Sequence, residues 1–234
     1  MSLSLSLILP AYNEERTVLK TVTEAIEFLS AMKLSFEIIV VADGTDATRE
    51  KVVTFAKNEP RVRVLGSTER RGKGRGVKDG VEIAQGRFIG FADADNKTPI
   101  SEYAAFHREL EAGARIVIGN RKARSAQIEK KQALYRQLGS LAFNRMMNAF
   151  MGLKGIEDTQ CGFKFFDRDT AREIFNEMKT DGYMFDVEIL YLAARKGIAV
   201  KQLPVRWRDD ADSRLDLVRG NLKNLREILR IRLG

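Results

Sequence analysis

Two aspartates with one residue between them are the side chains in this sequence best suited to binding a metal ion and a phosphorylated ligand. Asp93 and Asp95 flank Ala94 and follow an apolar run, residues 87–92, that predicts a buried strand. In open α/β sheets, ligands bind at the carboxyl ends of the strands, which is where this pair would lie. Carboxylate oxygens suit Mg²⁺ or Mn²⁺, and such ions commonly hold substrate phosphates as well. The pair predicts a divalent metal site for a phosphorylated ligand, although a solvated loop can carry the same short string.

The rest of the composition narrows the chemistry. The 234 residues include one histidine, His107, and one cysteine, Cys161. A structural zinc site needs four ligands of these kinds, and Ser-His-Asp or Cys-His hydrolases need a histidine beside the nucleophile, so these classes are poorly supported. One cysteine also rules out an intrachain disulfide and fits a reducing compartment. The chemistry therefore rests on carboxylates, arginines, lysines and a metal ion.

Basic residues are in excess and are concentrated in two segments. Lysine and arginine number 40 against 32 acidic residues, which gives a formal charge of +8. Residues 120–150 hold seven basic residues and one acidic residue, and residues 213–234 hold six basic and two acidic residues. Such segments predict an anionic partner: nucleic acid, a phosphorylated substrate or an anionic membrane. Nucleic acid is the least favoured of the three, because the segments lack the interleaved aromatic side chains that stack on bases.

Strand-like and helical patterns alternate along the chain, which predicts an α/β fold with a mostly parallel sheet and helices on both faces. The predicted strands are residues 4–9, 36–41, 61–65, 87–92, 114–118, 164–166 and 199–207. The predicted helices are residues 14–32, 46–57, 100–112, 132–151, 168–178 and 185–196, with one more after a flexible glycine-rich turn at 72–76 and a last one in 213–234. The length fits one large domain, or one domain with a small extension.

Candidate ligand groups follow each of the first four strands. Tyr12 can stack on a base after strand one, and Asp43 can accept a hydrogen bond from a base N–H after strand two. Residues 70–74, Arg-Arg-Gly-Lys-Gly, follow strand three and can hold phosphates through side chains and turn amides. Simple packing of Tyr12 and helix capping by Asp43 are the alternative interpretations. The convergence of all four strand ends nevertheless predicts a site for a nucleotide diphosphate.

The last segment predicts a basic amphipathic helix. One face of it, by the 3.6-residue period, carries Leu215, Val218, Leu222, Leu225 and Leu229. Two interpretations stay open: the helix packs this stripe on the domain, or it lies on a membrane surface with its arginines at the lipid headgroups. No uncharged apolar stretch reaches the roughly 20 residues of a membrane span. We therefore expect a cytoplasmic protein that contacts the cytoplasmic face of a membrane peripherally.

Longer motifs carry a resemblance to a known family. LILPAYNEE, VVADGT, RRGKGRGV and FADAD occur in this order and spacing, and with them the chain resembles the family 2 glycosyltransferases of the GT-A fold. GNRKAR, ALYRQLGS, KGIEDTQCGFKFF and MFDVEILYLA extend the resemblance to the polyprenyl-phosphate sugar transferases over nearly the whole chain. Within that group the chain is most similar to the dolichyl-phosphate β-glucosyltransferases and next to the dolichyl-phosphate mannose synthases.

The resemblance implies roles for the residues that match its motifs. The nucleotide-sugar would be held by Pro10, Ala11, Tyr12, Glu14, Asp43, Lys73, Asp93, Ala94, Asp95 and Arg214. The metal, Mg²⁺ or Mn²⁺, would bind Asp93 and Asp95. The acceptor phosphate would meet Arg121, Arg136 and Ser140, with Asp158 and Gln160 on the acceptor side. The residues central to catalysis would be Asp93, Asp95, Arg121 and Arg136.

Three positions depart from the pattern of the family. Ala42 replaces the first aspartate of the usual Asp-Asp-Gly-Ser, so base recognition would rest more on Asp43. Lys97 stands where mannose synthases can carry a metal-binding glutamine, so the metal would have fewer protein ligands. Asp212 stands where a glycine is often found, which would stiffen a loop that closes over the diphosphate.

The implied reaction is the inverting transfer of a hexose from a UDP-sugar or GDP-sugar to a polyprenyl phosphate of the dolichyl type. Glucose is favoured, and mannose is the alternative sugar. Residues 1–119 would form the donor half, residues 120–212 the acceptor half and residues 213–234 the C-terminal helix. A phosphate monoester has a second pKa of about 6, so this acceptor is largely dianionic near pH 7 and needs no general base.

Other activities stay open at this point. The first is transfer to a hydroxyl group of a polysaccharide or protein glycan, which would need a base and would give that role to Asp158. A remote alternative is a basic nucleic-acid-binding protein. A glycosyltransferase-like protein without activity is the last alternative, and the intact Asp93 and Asp95 pair argues against it.

Overall fold

The computed structural model describes residues 3–123, 126, 150–208 and 226–233. Its strands are β1 Leu5–Tyr12, β2 Phe36–Asp43, β3 Val62–Leu65, β4 Phe88–Ala92, β5 Ile116–Asn120, β6 Phe163–Asp167 and β7 Val200–Pro204. Its helices are α1 Val18–Ala31, α2 Thr48–Ala56, α3 Lys73–Ile83, α4 Tyr103–Glu111, α5 Arg168–Glu177 and α6 Phe185–Arg195. A 3₁₀ turn at Ile100–Glu102 precedes α4, and residues 226–233 are helical.

The seven strands form one sheet, in the order β3-β2-β1-β4-β6-β5-β7. β1 pairs in parallel with β2 and β4, β2 with β3, and β5 with β7, whereas β6 runs antiparallel to β4 and to β5. The predicted mostly parallel sheet is therefore confirmed. Because β6 is antiparallel to both of its neighbours, β4 and β5 point the same way. The carboxyl ends of β1, β2, β4, β5 and β7 thus meet at one edge of the sheet, where β6 begins.

Helices cover both faces of this sheet, as the sequence predicts. Successive side chains of a strand point to opposite faces. Leu5, Leu7 and Leu9 of β1 therefore pack with the buried side chains of α1 and α4, whereas Ile8 packs with those of α3, α5 and α6. Among the described residues, no helix has both the length and the hydrophobicity that a membrane span requires.

Helix α3 begins directly at Lys73, where the sequence predicts a flexible turn at 72–76. Gly72 precedes the helix with a φ of 108°, a conformation that L side chains rarely adopt. A Cβ at Gly74 would lie 2.4 Å from the Thr180 carbonyl oxygen and 2.7 Å from the Cβ of Phe185. The glycines thus allow the first turn of α3 to pack tightly against residues before and at the start of α6. The prediction of a flexible turn is wrong because this contact orders it.

The predicted division between residues 119 and 120 falls within β5, Ile116–Asn120. Strand β6 comes from the second half of the chain and lies between β4 and β5 of the first half. The two halves therefore share one sheet. Their separation into donor and acceptor functions stays a prediction.

The helical segment 226–233 packs on the core. Ile228 and Ile231 are buried among the side chains of α3, α5 and α6, and Arg232 Nη1 donates a hydrogen bond to the Tyr191 hydroxyl at 3.1 Å. Leu229, which the sequence places on the apolar stripe, is 42% exposed. The predicted packing of the stripe on the domain is thus wrong at Leu229. Adjacent residues of a helix point about 100° apart, so Leu229 turns outwards when Ile228 faces the core. The other stripe residues lie outside the described part of the chain: Leu215, Val218, Leu222 and Leu225.

Candidate active site

The Asp-Ala-Asp turn follows β4 at the edge of the sheet where the parallel strands end. Lys73 Nζ, in the first turn of α3, lies 2.5 Å from Asp93 Oδ1. Lys97 Nζ lies 3.3 Å from Asp95 Oδ2, and the Lys97 backbone N–H donates to Asp95 Oδ1 at 3.1 Å. Each of the two carboxylates therefore has a lysine ammonium beside it.

The protonation states of this cluster depend on burial and on neighbouring charge. Burial by itself lowers the pKa of Lys73, but the carboxylates of Asp93 and Asp186 outweigh that effect and raise this pKa above its usual range. Burial raises the pKa of Asp95, and repulsion from Asp93 adds to the rise. Opposite charge stabilises a buried ion and like charge destabilises it. Lys73 is therefore a permanent cation, and a cation close to Asp95 favours its ionised form.

The carboxylate pair fits a magnesium-type or manganese-type ion that also binds a ligand. Asp93 and Asp95 supply the hard oxygen atoms that these ions prefer. Within the described ranges, no group of three or more His, Cys, Asp or Glu side chains could hold a metal ion. Magnesium is often bound by one or two carboxylates and takes its remaining ligands from water and substrate phosphates. The residues present therefore match a metal site that substrate oxygens complete.

The Asp-Ala-Asp turn is held in place by α1. Ala94 is buried, and its carbonyl oxygen accepts a hydrogen bond from the Thr21 hydroxyl at 2.8 Å. Asn96 has a φ of 56° and its side-chain amide donates to the Glu24 carboxylate. The turn between the two aspartates is thus fixed from outside, which positions both carboxylates before any ligand binds.

Asp43, predicted to contact the base, is buried at the end of β2 and holds the loop after β3. Its Oδ1 accepts from the Ser67 N–H at 3.0 Å and from Arg71 Nη2 at 2.9 Å, and its Oδ2 accepts from the Arg71 N–H at 3.2 Å. Arg71 also donates to Asp79 of α3 at 2.6 Å. Asp43 therefore shapes the loop that leads to Lys73, and its direct contact with a base stays a prediction.

An arginine stacks on Tyr12 at the end of β1. The Arg70 guanidinium carbon lies 4.5 Å from the centre of the Tyr12 ring, and Arg70 Nη2 donates to the Tyr183 hydroxyl at 3.4 Å. The side chains of Tyr12 and Tyr183 are 37% and 47% exposed. Tyr12 thus presents a partly exposed ring at the rim of the site with Arg70 against it, and its stacking on a base stays a prediction. Tyr183 is a neighbour that the sequence does not indicate.

The other donor-side predictions on β1 lie beside Tyr12. Pro10 and Ala11 pair in register with residues 41–42 of β2, and Ala11 is buried. The Glu14 carboxylate accepts from the Thr17 hydroxyl at 2.9 Å, just before α1. The backbone of this segment therefore lies at the sheet edge, and its contacts with base and ribose stay predictions.

Arg121 and Asp158, both predicted for the acceptor side, form a bidentate ion pair in which Asp158 is buried and the Arg121 side chain is 26% exposed. Arg121 Nε donates to Asp158 Oδ2 at 2.7 Å and Nη2 donates to Oδ1 at 2.9 Å, while the Arg121 backbone N–H also donates to Oδ2 at 3.0 Å. Burial alone would raise the pKa of Asp158, but the hydrogen bonds and positive charge of Arg121 lower it to about 2. The Arg121 guanidinium lies 5.3 Å from the centre of the Trp207 ring. Asp158 is therefore a poor proton acceptor near neutral pH.

The segment between Asp158 and β6 connects the acceptor side to the carboxylate pair. The Asp93 N–H donates to the Gly162 carbonyl at 3.1 Å, and a Cβ at Gly162 would lie 2.1 Å from Asp93 Oδ2. Gln160 lies in this segment and is half-buried. Cys161 is fully buried, and burial raises the pKa of its thiol to about 12, so it is a packed side chain rather than a nucleophile.

A fully buried lysine is the main feature of the site that the sequence-based predictions missed. Lys164 of β6 donates through Nζ to the Cys161 carbonyl at 2.7 Å and forms an ion pair with Asp186 in the first turn of α6. The side chains of Lys164 and Asp186 are 0% and 4% exposed. The sequence does contain a signal for this buried lysine, which is its place inside the apolar run Phe-Lys-Phe-Phe. A charge in a buried strand needs a partner, so this pattern indicates a buried ion pair.

Three predicted site residues lie outside the part of the chain that the structure describes. They are Arg136, Ser140 and Arg214. The predicted helix at 132–151 and Asp212 also fall there, apart from the last two residues of that helix. The described site therefore consists of the donor side, the Asp-Ala-Asp turn and the Arg121–Asp158 pair.

A doubly covered, mostly parallel sheet with a carboxylate pair and lysines at its carboxyl edge is the architecture of glycosyltransferases of the GT-A class. The family model described as Glycosyl transferase family 2 matches residues 6–175, and the chain belongs to this family. It is therefore a glycosyltransferase, as the sequence motifs predict.

Curated relatives and solved structures agree with this assignment. A dolichyl-phosphate beta-glucosyltransferase of Dictyostelium discoideum is 34% identical over 241 residues, which cover 97% of this chain and 73% of the relative. The protein of the same name from Drosophila melanogaster is 36% identical over 228 residues, covering 92% and 70%. Glucosyl-3-phosphoglycerate synthase from Mycobacterium tuberculosis, in complex with Mn²⁺, uridine-diphosphate and phosphoglyceric acid, matches with a TM-score of 0.70 and 20% identity, covering 99% of this chain and 78% of that one. The last match supports the fold.

Proposed function

We propose that this chain transfers glucose, with inversion, from UDP-glucose to a polyprenyl phosphate of the dolichyl type, with a divalent metal ion at Asp93 and Asp95. The names of the two relatives support the sugar and the acceptor. The UDP and Mn²⁺ of the related structure support the nucleotide and the metal. The observation that carries the proposal is the Arg121–Asp158 ion pair at the same sheet edge as the carboxylate pair.

The donor side would bind the nucleotide by stacking and by positive charge. Tyr12 would stack on uracil, while Pro10, Ala11, Glu14 and Asp43 would surround the base and ribose. Lys73 lies at the N-terminus of α3, so its ammonium and the helix N-terminus together favour the diphosphate. The predicted contact of Arg214 with the diphosphate belongs to the same proposal. A divalent ion bound here supplies charge neutralisation on the leaving diphosphate.

The ability of Asp158 to act as a general base distinguishes a hydroxyl acceptor from a phosphate acceptor. A hydroxyl acceptor needs a general base, and Asp158, with a pKa of about 2 and both oxygens engaged by Arg121, is unsuited to that role. A phosphate dianion needs no base. Arg121 uses Nε and Nη2 on Asp158, and its Nη1 would donate to the phosphate. Arg136 and Ser140 would share that phosphate, and Gln160 would line the same side.

In the transfer step, an oxygen of the acceptor phosphate forms a bond to the anomeric carbon as the bond from that carbon to the diphosphate breaks on the opposite face. No proton has to be removed, because the attacking group is already ionised. The contribution of the chain is therefore positioning and fixed positive charge, from Lys73 on the donor side and Arg121 on the acceptor side.

The experiment is nucleotide release by the purified protein with UDP- and GDP-sugars, Mg²⁺ or Mn²⁺, and a short polyprenyl phosphate. We expect UDP release from UDP-glucose that requires both the metal and the lipid phosphate, and its loss in Asp95→Ala. The exposed charge variant Lys201→Met, at the start of β7, is the matched control and should keep full activity. Turnover of polyprenol in place of its phosphate would contradict the acceptor, a preference for GDP-mannose would contradict the donor, and an active Asp95→Ala enzyme would contradict the metal site.

The same proposal includes peripheral contact with the cytoplasmic face of an anionic membrane, where a polyprenyl phosphate resides. The net charge of +8 and the exposed Leu229 and Leu233 of the segment 226–233 support it. Co-sedimentation with vesicles tests it. We expect binding to vesicles that contain phosphatidylserine and weaker binding at high salt, whereas equal binding to neutral vesicles would contradict the electrostatic part.

A further inference from the structure

The charged side chains around the Asp-Ala-Asp turn balance one another before any ligand binds. Asp93 and Asp95 carry two negative charges, and Lys73 and Lys97 place two positive charges 2.5 Å and 3.3 Å from them. The side chains of Lys97 and Asp95 are 19% and 30% exposed, so water screens their attraction only in part. A divalent ion that entered this neutral cluster by itself would meet two ammonium groups as well as two carboxylates.

We propose that Lys97 is an internal counter-ion, which competes with the divalent metal for Asp95 and turns to the donor diphosphate when metal and nucleotide bind together. This inference rests on the proposed function and deepens it, because it makes metal binding and nucleotide binding depend on each other. Lysine suits such an exchange, since its ammonium is a compact charge on a flexible stem and can leave Asp95 while the backbone stays in place.

The backbone of Lys97 is held at the rim of the site, so only its side chain needs to move. Its N–H donates to Asp95 Oδ1 at 3.1 Å, and its carbonyl oxygen accepts from the Arg208 N–H at 3.0 Å. With Asp95 engaged by a metal, the Lys97 ammonium would lose this partner. The donor diphosphate, which would complete the metal site, would then be the anion that replaces it. Coupling between two ligands is reciprocal, so UDP must strengthen metal binding by the same factor by which the metal strengthens UDP binding.

The test is Mn²⁺ binding, measured by the electron paramagnetic resonance of free Mn²⁺, and UDP binding, measured by calorimetry. Lys97→Met removes the charge and keeps an unbranched stem, and Lys97→Arg keeps the charge. Lys201→Met is the matched control, because Lys201 is 53% exposed, pairs at 3.4 Å with Glu109 and lies at the end of β7 away from the site. We expect Lys97→Met to bind Mn²⁺ without nucleotide more tightly than the wild type, by up to about fivefold, the upper limit for loss of an exposed ion pair. With saturating Mn²⁺, the same variant should bind UDP several-fold more weakly.

Opposite changes in the two affinities are the signature of this role. Lys97→Arg should restore the wild-type pattern and Lys201→Met should change neither affinity. If Lys97 were only structural, Lys97→Met would weaken both affinities, and if it were uninvolved it would change neither, so both results overturn the inference. Asp95→Ala separates the two proposals. If Asp95→Ala still binds Mn²⁺, the metal site itself is overturned. If Asp95→Ala loses Mn²⁺ binding but Lys97→Met has the affinities of the wild type, only the role of Lys97 is overturned. Circular dichroism verifies that every variant is folded.

Discussion

The ion pair between Arg121 and Asp158 links two properties of the site in one contact. Its bidentate geometry fixes the guanidinium at the end of β5, and the burial of Asp158 makes this carboxylate costly to leave without its partner. The same hydrogen bonds that hold Arg121 in place remove Asp158 from acid–base chemistry. In the proposed reaction, Asp158 would therefore position the arginine that is proposed to bind the acceptor phosphate.

The lowered pKa of Asp158 makes stability depend on pH in a defined window. The folded-state pKa is about 2 and the ordinary value is 3.8, so the contribution of the carboxylate is complete above about pH 4 and is lost as the pH falls towards 2. Asp158→Asn should lower the free energy of unfolding at pH 7 by about 2–3 kcal/mol, and this difference should shrink below pH 4. Urea unfolding across this pH range measures both effects. Asp169→Asn, at an exposed residue, is the control. If the difference in free energy of unfolding between the wild type and Asp158→Asn did not vary with pH, the lowered pKa of Asp158 would be contradicted.

For single residues, the sequence could predict which side chains belong to the site but not which side chains they pair with. Asp93 and Asp95 stand out because they follow an apolar strand, and Lys73 and Arg121 stand out through the motifs that contain them. The partners Lys73–Asp93 and Arg121–Asp158 are distant in the sequence and meet only at the sheet edge. Spacing along the chain therefore could not show that Asp158 is neutralised by Arg121.

The first turn of α3 illustrates how elements create the site. Two glycines of this helix face different surroundings: a Cβ at Gly74 would meet the Thr180 carbonyl oxygen at 2.4 Å, whereas a Cβ at Gly76 would meet Val41 Cγ1 at an ordinary 3.5 Å. Gly74→Ala should lower the free energy of unfolding by about 1–3 kcal/mol through overpacking. Gly76→Ala should raise it by up to about 1 kcal/mol, because alanine favours the helix. Thermal unfolding compares the two, and equal destabilisation would contradict the packing of α3.

The buried pair Lys164–Asp186 connects β6 to α6 below the site. Removing one partner of a buried pair leaves an uncompensated charge, so Lys164→Met should lower the free energy of unfolding by about 3–5 kcal/mol. The double variant Lys164→Met with Asp186→Leu should recover most of that loss, because neither charge of this pair then remains buried and Lys73 keeps Asp93 as its partner. Urea unfolding measures all three chains. A double variant no more stable than Lys164→Met would show that the pair is not an isolated unit.

The helices and strands were largely predictable, since periodicity indicates them locally. The start of α3 was not, because the turn at 72–76 is ordered by residues 180–185 and no local pattern records that contact. The buried face of the last helix was also missed. There the pattern favoured a leucine stripe, whereas Ile228 and Ile231 fit the space between the helices of the domain.

Over the whole molecule, the antiparallel strand β6 joins the two sides of the site. The sequence indicates a strand at 164–166 but contains no signal that it enters between β4 and β5. This insertion places Gly162 beside Asp93, and Arg121, at the end of β5, lies two strands from the Asp-Ala-Asp turn. Among the described residues, strand order therefore brings the groups proposed for the donor and for the acceptor to one edge of the sheet.

The C-terminal helical segment is the last element of this assembly, and adjacent residues test whether it belongs to the folded domain. Ile228 is 1% exposed among the helices of the core and Leu229 is 42% exposed. Ile228→Ala should lower the free energy of unfolding by about 2–5 kcal/mol, because it removes buried methyl groups and leaves a cavity. Leu229→Ala should stay within about 0.5 kcal/mol of the wild type, as surface substitutions do. Urea unfolding of the two variants gives the comparison. Equal stabilities would mean that the segment does not pack through Ile228, and the helix would then be free to meet a membrane through either face.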